Sequence, residues 1–382
     1  MTVVGTRPEI IRLSRVILLL DNTADHTVVH TGQNWDRQLS DVFFDELGLR
    51  PPDHNLDVQT TSLGRMLGDV LANIEPLLRE IQPDAFLVLG DTNSSLAAIM
   101  AKRLGVPVFH LEAGNRSFDE NVPEETNRRL IDHISDFNLC YTEHARRNLL
   151  SEGLHPRRVF VTGSPLFEVL AAYRQQIATS TVLDRLGLEP GGYLLASVHR
   201  EETVDNPGNM RRVLSALDRL RRHHGVRVLV TAHPRLRDRL SRLALDDAAA
   251  TLELHEPFGY LDYMKLQEHA RCVISDSGSI SEEAAVLGFP AVTIRNAMER
   301  PEAIDTGSIV LTGLEPDAVE RAVRLVVEQW DADHRPTPPP EYVTPDFSQR
   351  VVRLVTGLAG LHSRWANLDE KLGSARGLQT DE

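Results

Sequence analysis

An α/β protein of two doubly wound lobes, each a parallel sheet flanked by helices, is the fold class this sequence predicts, and three observations predict it. Short apolar runs alternate with helical patterns through nearly the whole chain, the signature of βαβ units around a parallel sheet. The length of 382 residues exceeds what one hydrophobic core usually serves, since domains commonly run about 100–200 residues. The composition, 41% apolar and 25% charged with the charges spread rather than blocked, can bury two such cores.

Taken in order, the first strand series falls at 2–4, 26–31, 85–89, 106–111, 138–141 and 159–162. The second falls at 193–197, 227–232, 251–254, 272–275, 291–294 and 308–311. Between Pro165 and Gly192 a helical stretch ends in LGLEPGG, whose proline and glycines punctuate a helix rather than continue it. The domains are therefore expected at 1–168 and 169–345. Beyond the proline-rich DADHRPTPPPEYVTPD, residues 346–382 make a terminal helix and polar tail. Either lobe can receive that helix.

The net charge of −14 argues against a general nucleic-acid binder, which needs a basic face. Cys140 and Cys272 lie far apart and form no CxxC pair, as expected of a reduced, cytoplasmic protein. No window approaches the roughly 18–20 apolar residues of a membrane span, and the start, MTVVGTRPEI, lacks a signal peptide's apolar run. Neither HExxH nor a Cys/His cluster suggests a metal, and GxGxxG, GxxxxGK[ST] and GxSxG are missing. No cofactor is expected.

Open α/β sheets bind ligands beyond the carboxyl ends of their strands, where helix N-termini present unpaired N–H groups. The chemistry-bearing residues of this chain sit at those places. GTRPEIIRL follows the first strand, with Gly5 for a tight turn, Arg7 at the mouth of the sheet, and Pro8 and Glu9 suited to a first helical turn. Asp91 joins the strand LVLG to the next helix, where the ordinary role of an aspartate is an N-cap. Glu112 leaves the following strand, and Arg116, Asp119, Glu124 and Glu125 crowd behind it. Converging carboxylates shift one another's ionisation, as general acid/base work requires. Either glutamate of PEETNRRLIDH can instead simply complement a helix dipole.

In the second lobe His199 ends a strand in SVHREE, a place for a proton carrier or phosphate donor, and His233 in TAHPR repeats that geometry. The strand CVIS then gives way to DSGSISEEA, where Ser277, Gly278 and Ser279 let backbone N–H groups approach an anion at a helix head. Glu283 is spaced to take a ribose's hydroxyls, and Arg300 in ERPE to meet the same phosphates. Phe258, Tyr260 and Tyr263 are available to flank a base, though aromatics so spaced serve equally as core.

With GTRPE at residue 5, GDT at 90, HLEAG at 110, PEETNR at 123, HREE at 199, DSGSISEEA at 276 and ERPEA at 299, the chain resembles the non-hydrolysing UDP-N-acetylglucosamine 2-epimerases over about 300 residues. The resemblance implies two Rossmann-like domains of the glycosyltransferase-B type with the site in the cleft, a homodimer, and a UDP-sugar substrate. It also implies UDP-GlcNAc/UDP-ManNAc interconversion through 2-acetamidoglucal, with no nicotinamide. Carried over, the essential carboxylates are Asp91, Glu112 and Glu124, with His199 as the cleft histidine. The UDP-sugar contacts are Arg7, Ser277, Gly278, Ser279, Glu283 and Arg300, joined by Arg12, Arg116, His233, Phe258 and Tyr263.

Three positions depart from the family's pattern. Arg12 stands where the family has a lysine, EAGNR replaces EAGLR, and HREE replaces HRRE. These variants look more like the branch acting on UDP-2-acetamido-2,6-dideoxy-L-hexoses of the talose/fucose pair. A hydrolysing 2-epimerase releasing free ManNAc, a glycosyltransferase and a non-catalytic nucleotide-sugar sensor are the competing readings. The acid cluster argues against the sensor, because holding a negatively charged ligand does not call for so many carboxylates.

Overall fold

Strands such as FLVL at Phe86–Leu89 and CVIS at Cys272–Ser275 are buried at every residue, so their apolar runs are continuous, as parallel strands covered by helices on both faces require. The structure, a computed structural model, describes all residues except 34–43, 45, 121, 233, 244, 246–248 and 366–382. The chain divides into two compact units, Met1–Val169 with the segment from Thr344 onward, and Leu170–Val343.

Among its described residues the first unit holds seven strands: β1 (Thr2–Val4), β2 (Val28–His30), β3 (His54–Asn55), β4 (Phe86–Leu89), β5 (Val108–Leu111), β6 (Phe137–Cys140) and β7 (Val159–Val161). Their order is β3-β2-β1-β4-β5-β6-β7 and every described pairing is parallel. The edge strand β3 has no counterpart in the sequence reading: it is two polar residues that pair with Val29 and His30 and bury little. The helix Phe347–Trp365 belongs to this unit and packs on the helix Arg7–Thr23. Phe347 meets Tyr141 edge to face at 6.0 Å, and the Ser348 N–H donates to Glu168 Oε2 at 2.7 Å.

The second unit holds β8 (Tyr193–Ser197), β9 (Arg227–Thr231), β10 (Glu253–His255), β11 (Cys272–Ser275), β12 (Ala291–Thr293) and β13 (Val310–Leu311). They run parallel in the order β10-β9-β8-β11-β12-β13. Two doubly wound parallel-sheet units are thus the fold class expected. In each, strand order reverses beside the unit's first strand, between β1 and β4 and again between β8 and β11. Loops leave such a switch point toward opposite sides, which opens a crevice at the carboxyl ends of the two strands. No described helix is long and apolar enough to cross a membrane.

Candidate active site

At the first unit's switch point the backbone passes too close to its neighbours for any side chain on Gly5. A Cβ there would lie 2.1 Å from Thr31 Oγ1 and 2.9 Å from Ser94 Cβ. Glu9, 1% exposed, does more than complement the helix dipole. Its Oε2 accepts the Gly5 and Thr6 N–H groups at 2.6 and 2.8 Å, and its Oε1 accepts the hydroxyls of Ser94, at 2.7 Å, and Thr92. The turns after β1 and β4 are cross-linked through this one carboxylate. Burial raises its pKa even against those four hydrogen bonds. Arg7 is half-buried on the first turn of the adjoining helix.

Asp91 follows β4 but does not cap a helix. Thr92 holds the N-cap position of the short 3-10 helix Asn93–Ala97, and the Asp91 carboxylate accepts from Arg128 instead. The helix Pro123–Ile134 grips this turn twice more, since Asn127 Nδ2 donates to the Asp91 carbonyl and to Asn93 Oδ1, both at 3.0 Å. Glu124 and Glu125 occupy that helix's first turn and differ in exposure. Glu124 is exposed, whereas Glu125 is buried and accepts from Ser117 N–H and Oγ at 3.0 Å each and from Arg128 at 2.9 Å. Burial pushes the Glu125 carboxyl up, but the Ser117 N–H and the Arg128 charge bring it below its usual range.

Glu112, at the end of β5, has φ +64°, a left-handed conformation that costs a non-glycine residue energy unless its surroundings enforce it. Those surroundings are dense. Two residues on, Gly114 has φ +84°, and a Cβ there would lie 2.3 Å from the Ala145 carbonyl oxygen. The Glu112 carboxylate meets Arg12 Nη1 at 3.3 Å on one oxygen and Asn115 Nδ2 at 3.3 Å on the other. The Arg12 guanidinium in turn lies over the Tyr141 ring, 5.7 Å from its centroid.

Arg116 is held within its own unit: its fully buried side chain donates to Asp132 Oδ2 at 2.6 Å and to both Glu152 oxygens at 2.8 and 2.7 Å. The planar fork is spent on two carboxylates of its own unit, so we assign it to the scaffold. His233 lies outside the described residues.

The second unit's switch point joins His199 and Arg200, after β8, to Asp276, after β11. The buried Asp276 carboxylate accepts the backbone N–H groups of His199 at 3.1 Å and Arg200 at 3.0 Å, and sits 3.1 Å from His199 Nδ1. The His199 side chain is half exposed. In the turn after Asp276, the Ser277 and Ser279 hydroxyls are 3.0 Å apart and the Ser277 N–H donates to Ser275 Oγ at 3.0 Å. Around Gly278 three guanidiniums converge: a Cβ there would have Arg200 Nη2, Arg300 Nη1 and Arg295 Nη1 at 3.8, 3.9 and 4.0 Å. Arg295 is held by Glu299 through two 2.6 Å bonds, and Arg300 donates to the Gly278 carbonyl. Glu283 accepts from Gln267 Nε2 at 2.6 Å. Phe258 and Tyr263 are half-buried and packed against a hydrophobic core cluster.

Arg200, Arg295 and Asp276 were not singled out from the sequence. The available signal was positional: Arg200 stands three residues past the end of β8, Arg295 two past the end of β12, and Asp276 opens the glycine turn after β11.

Paired doubly wound units of this order define the class: an α/β protein of the glycosyltransferase-B type. Within it, the profile of the UDP-N-acetylglucosamine 2-epimerase family matches residues 18–356. The chain belongs to that family. A UDP-N-acetylglucosamine 2-epimerase of Methanocaldococcus jannaschii is 33% identical over 368 residues, 93% of this chain and 98% of its own. A UDP-2,3-diacetamido-2,3-dideoxy-D-glucuronate 2-epimerase of Pseudomonas aeruginosa is 36% identical, over 85% of this chain and 91% of its own. The solved UDP-N-acetylglucosamine 2-epimerase of Rickettsia bellii superposes with a TM-score of 0.89 at 40% identity, covering 95% of this chain and 97% of that one.

Proposed function

We propose that the protein is a non-hydrolysing UDP-N-acetylhexosamine 2-epimerase that interconverts UDP-GlcNAc and UDP-ManNAc. The observation that carries this reading is the division of chemistry between the switch points: carboxylates at Asp91 and Glu112 in one unit, and three guanidiniums around the Gly278 turn in the other. An elimination needs both kinds of group. A carboxylate takes the C2 proton, the C2–H electron pair forms the C1–C2 double bond of 2-acetamidoglucal, and the C1–O bond breaks so that UDP leaves with its terminal phosphate doubly charged. Arg200, Arg295 and Arg300, with the Ser277–Ser279 turn, stabilise the charge that develops on that leaving group. Re-addition reverses the steps, with the β-phosphate oxygen attacking C1 and a proton arriving on the other face of C2.

In this reading Asp91, Glu112 and Glu124 supply the acid and base, His199 contacts the diphosphate, Arg7 and Arg12 complete the cationic side, and Glu283 takes the ribose. A cytoplasmic homodimer belongs to the same reading, and sedimentation of the purified chain measures the dimer. The decisive experiment follows UDP-GlcNAc by NMR in D2O. Deuterium enters C2 and UDP-ManNAc accumulates while free sugar does not; absence of exchange with every UDP-HexNAc offered refutes the assignment.

A second substrate reading rests on Asn115, whose amide lies on the Glu112 carboxylate, and on the Pseudomonas relative, whose name gives a different UDP-sugar. A UDP-2-acetamido-2,6-dideoxy-L-hexose that exchanges faster than UDP-GlcNAc selects it.

A further inference from the structure

Next to the two acids the structure buries a histidine that the proposed chemistry does not use. His110, in β5, is 0% exposed. Its Nδ1 lies 2.8 Å from Asp132 Oδ1 and its Nε2 lies 2.9 Å from the Gly90 carbonyl oxygen. A carbonyl only accepts, so Nε2 must carry a hydrogen, and a flipped ring would set carbon atoms against both oxygens. Nδ1 faces a carboxylate whose other contacts are donors: Arg116 Nη1 at 2.6 Å on Oδ2, and the Gly114 N–H at 3.2 Å from each oxygen. Donors on every side match an ionised carboxylate, which leaves the second hydrogen on Nδ1.

The charges agree with that assignment. Asp132 and Glu152 face Arg116 on two sides, and Glu152 also meets the half-exposed His133 at 2.9 Å. With His110 as an imidazolium, two buried cations balance two carboxylates. With a neutral ring, a lone pair is pressed on a carbonyl or a carboxylate, which is costly in a buried site.

The two ends of this ring matter by their addresses. The Gly90 carbonyl precedes Asp91, and the Asp132 carboxylate holds the N–H of Gly114, two residues after the left-handed Glu112. We propose that His110 is a positioning residue: a doubly donating imidazolium that clamps the turns after β4 and β5 to each other and so sets Asp91 against Glu112. The proposal rests on the reading that these two acids act on the sugar.

The test uses the full chain with 15N-labelled histidines. In the wild type one ring carries hydrogens on both nitrogens, and that signal disappears in His110→Gln. His110→Gln lowers kcat for C2 exchange by about tenfold or more, leaves KM for the UDP-sugar and the Kd of UDP within about twofold, and has no further effect when combined with Asp91→Asn. A singly protonated His110 overturns the clamp, as does a loss that remains in full in the Asp91→Asn background or that falls on KM. Should His110→Gln not fold, Asp132→Asn replaces it, and the wild-type ring spectrum decides alone. Failure of the wild type to exchange any UDP-HexNAc removes the functional reading while the ring spectrum still reports on the clamp.

Discussion

At the scale of single residues, the proposed chemistry concentrates on Glu112. It sits on left-handed backbone between Arg12 and Asn115, and a base so placed is expected to contribute about 100- to 10,000-fold to the rate. Glu112→Gln should therefore lower kcat by that order while isothermal titration with UDP changes little. Gly5 makes a different prediction. With Thr31 Oγ1 2.1 Å from where a methyl would sit, Gly5→Ala should destabilise the protein by about 1–3 kcal/mol, read as a lowered denaturation midpoint. The cysteines should be inert. Burial pushes the Cys272 thiol up to about 12 and raises Cys140 as well, so a thiol reagent at pH 8 should modify neither until the chain unfolds.

Among the elements, the helix Pro123–Ile134 organises the first unit's switch point, because Asn127 and Arg128 hold the Asp91 turn while Asp132 reaches back to Gly114 and His110. Its anchor at the far side is Arg116 with Glu152, just past the helix Glu143–Ser151. The hydrogen bond from Arg116 brings the Glu152 carboxyl from 4.5 to about 2. A depressed carboxyl stabilises the fold fully above its unfolded value and loses that contribution as pH falls through its folded value. Stability should thus decline between about pH 4.5 and pH 2, and Glu152→Gln should flatten that part of an acid-denaturation curve. The same helix shows where sequence reasoning stops. Two adjacent glutamates at its start have the same chemistry and helix position, and packing leaves Glu124 exposed while burying Glu125. Asp91 reads as a cap because strand, Asp and helix follow one another, yet the helix after it is a 3-10 turn whose N-cap position falls on Thr92.

For the molecule as a whole, a net charge of −14 coexists with three guanidiniums gathered on one glycine, so the anion binding proposed here is a local property. The proposed division of labour predicts separable kinetics. Arg300→Met should weaken UDP binding by about 10- to 100-fold with a smaller effect on kcat, the reverse of Glu112→Gln, and steady-state kinetics of the two variants checks it.

Two βα-wound units, most of their strands, and the loops that bear Asp91, Glu112, Ser277 and Arg300 were legible in the sequence, because apolar period and turn residues are local properties of the chain. The edge strand His54–Asn55 was not, since two polar residues carry no period. Nor was the destination of the helix Phe347–Trp365, which depends on partners such as Tyr141, far away in sequence. That Arg200 and Arg295 join Arg300 at the glycine turn, and that Arg116 is spent inside the scaffold, were decided by the tertiary structure alone. A guanidinium's role depends on which carboxylate or carbonyl the fold brings within about 3 Å of it, and residue spacing along a chain does not encode that distance.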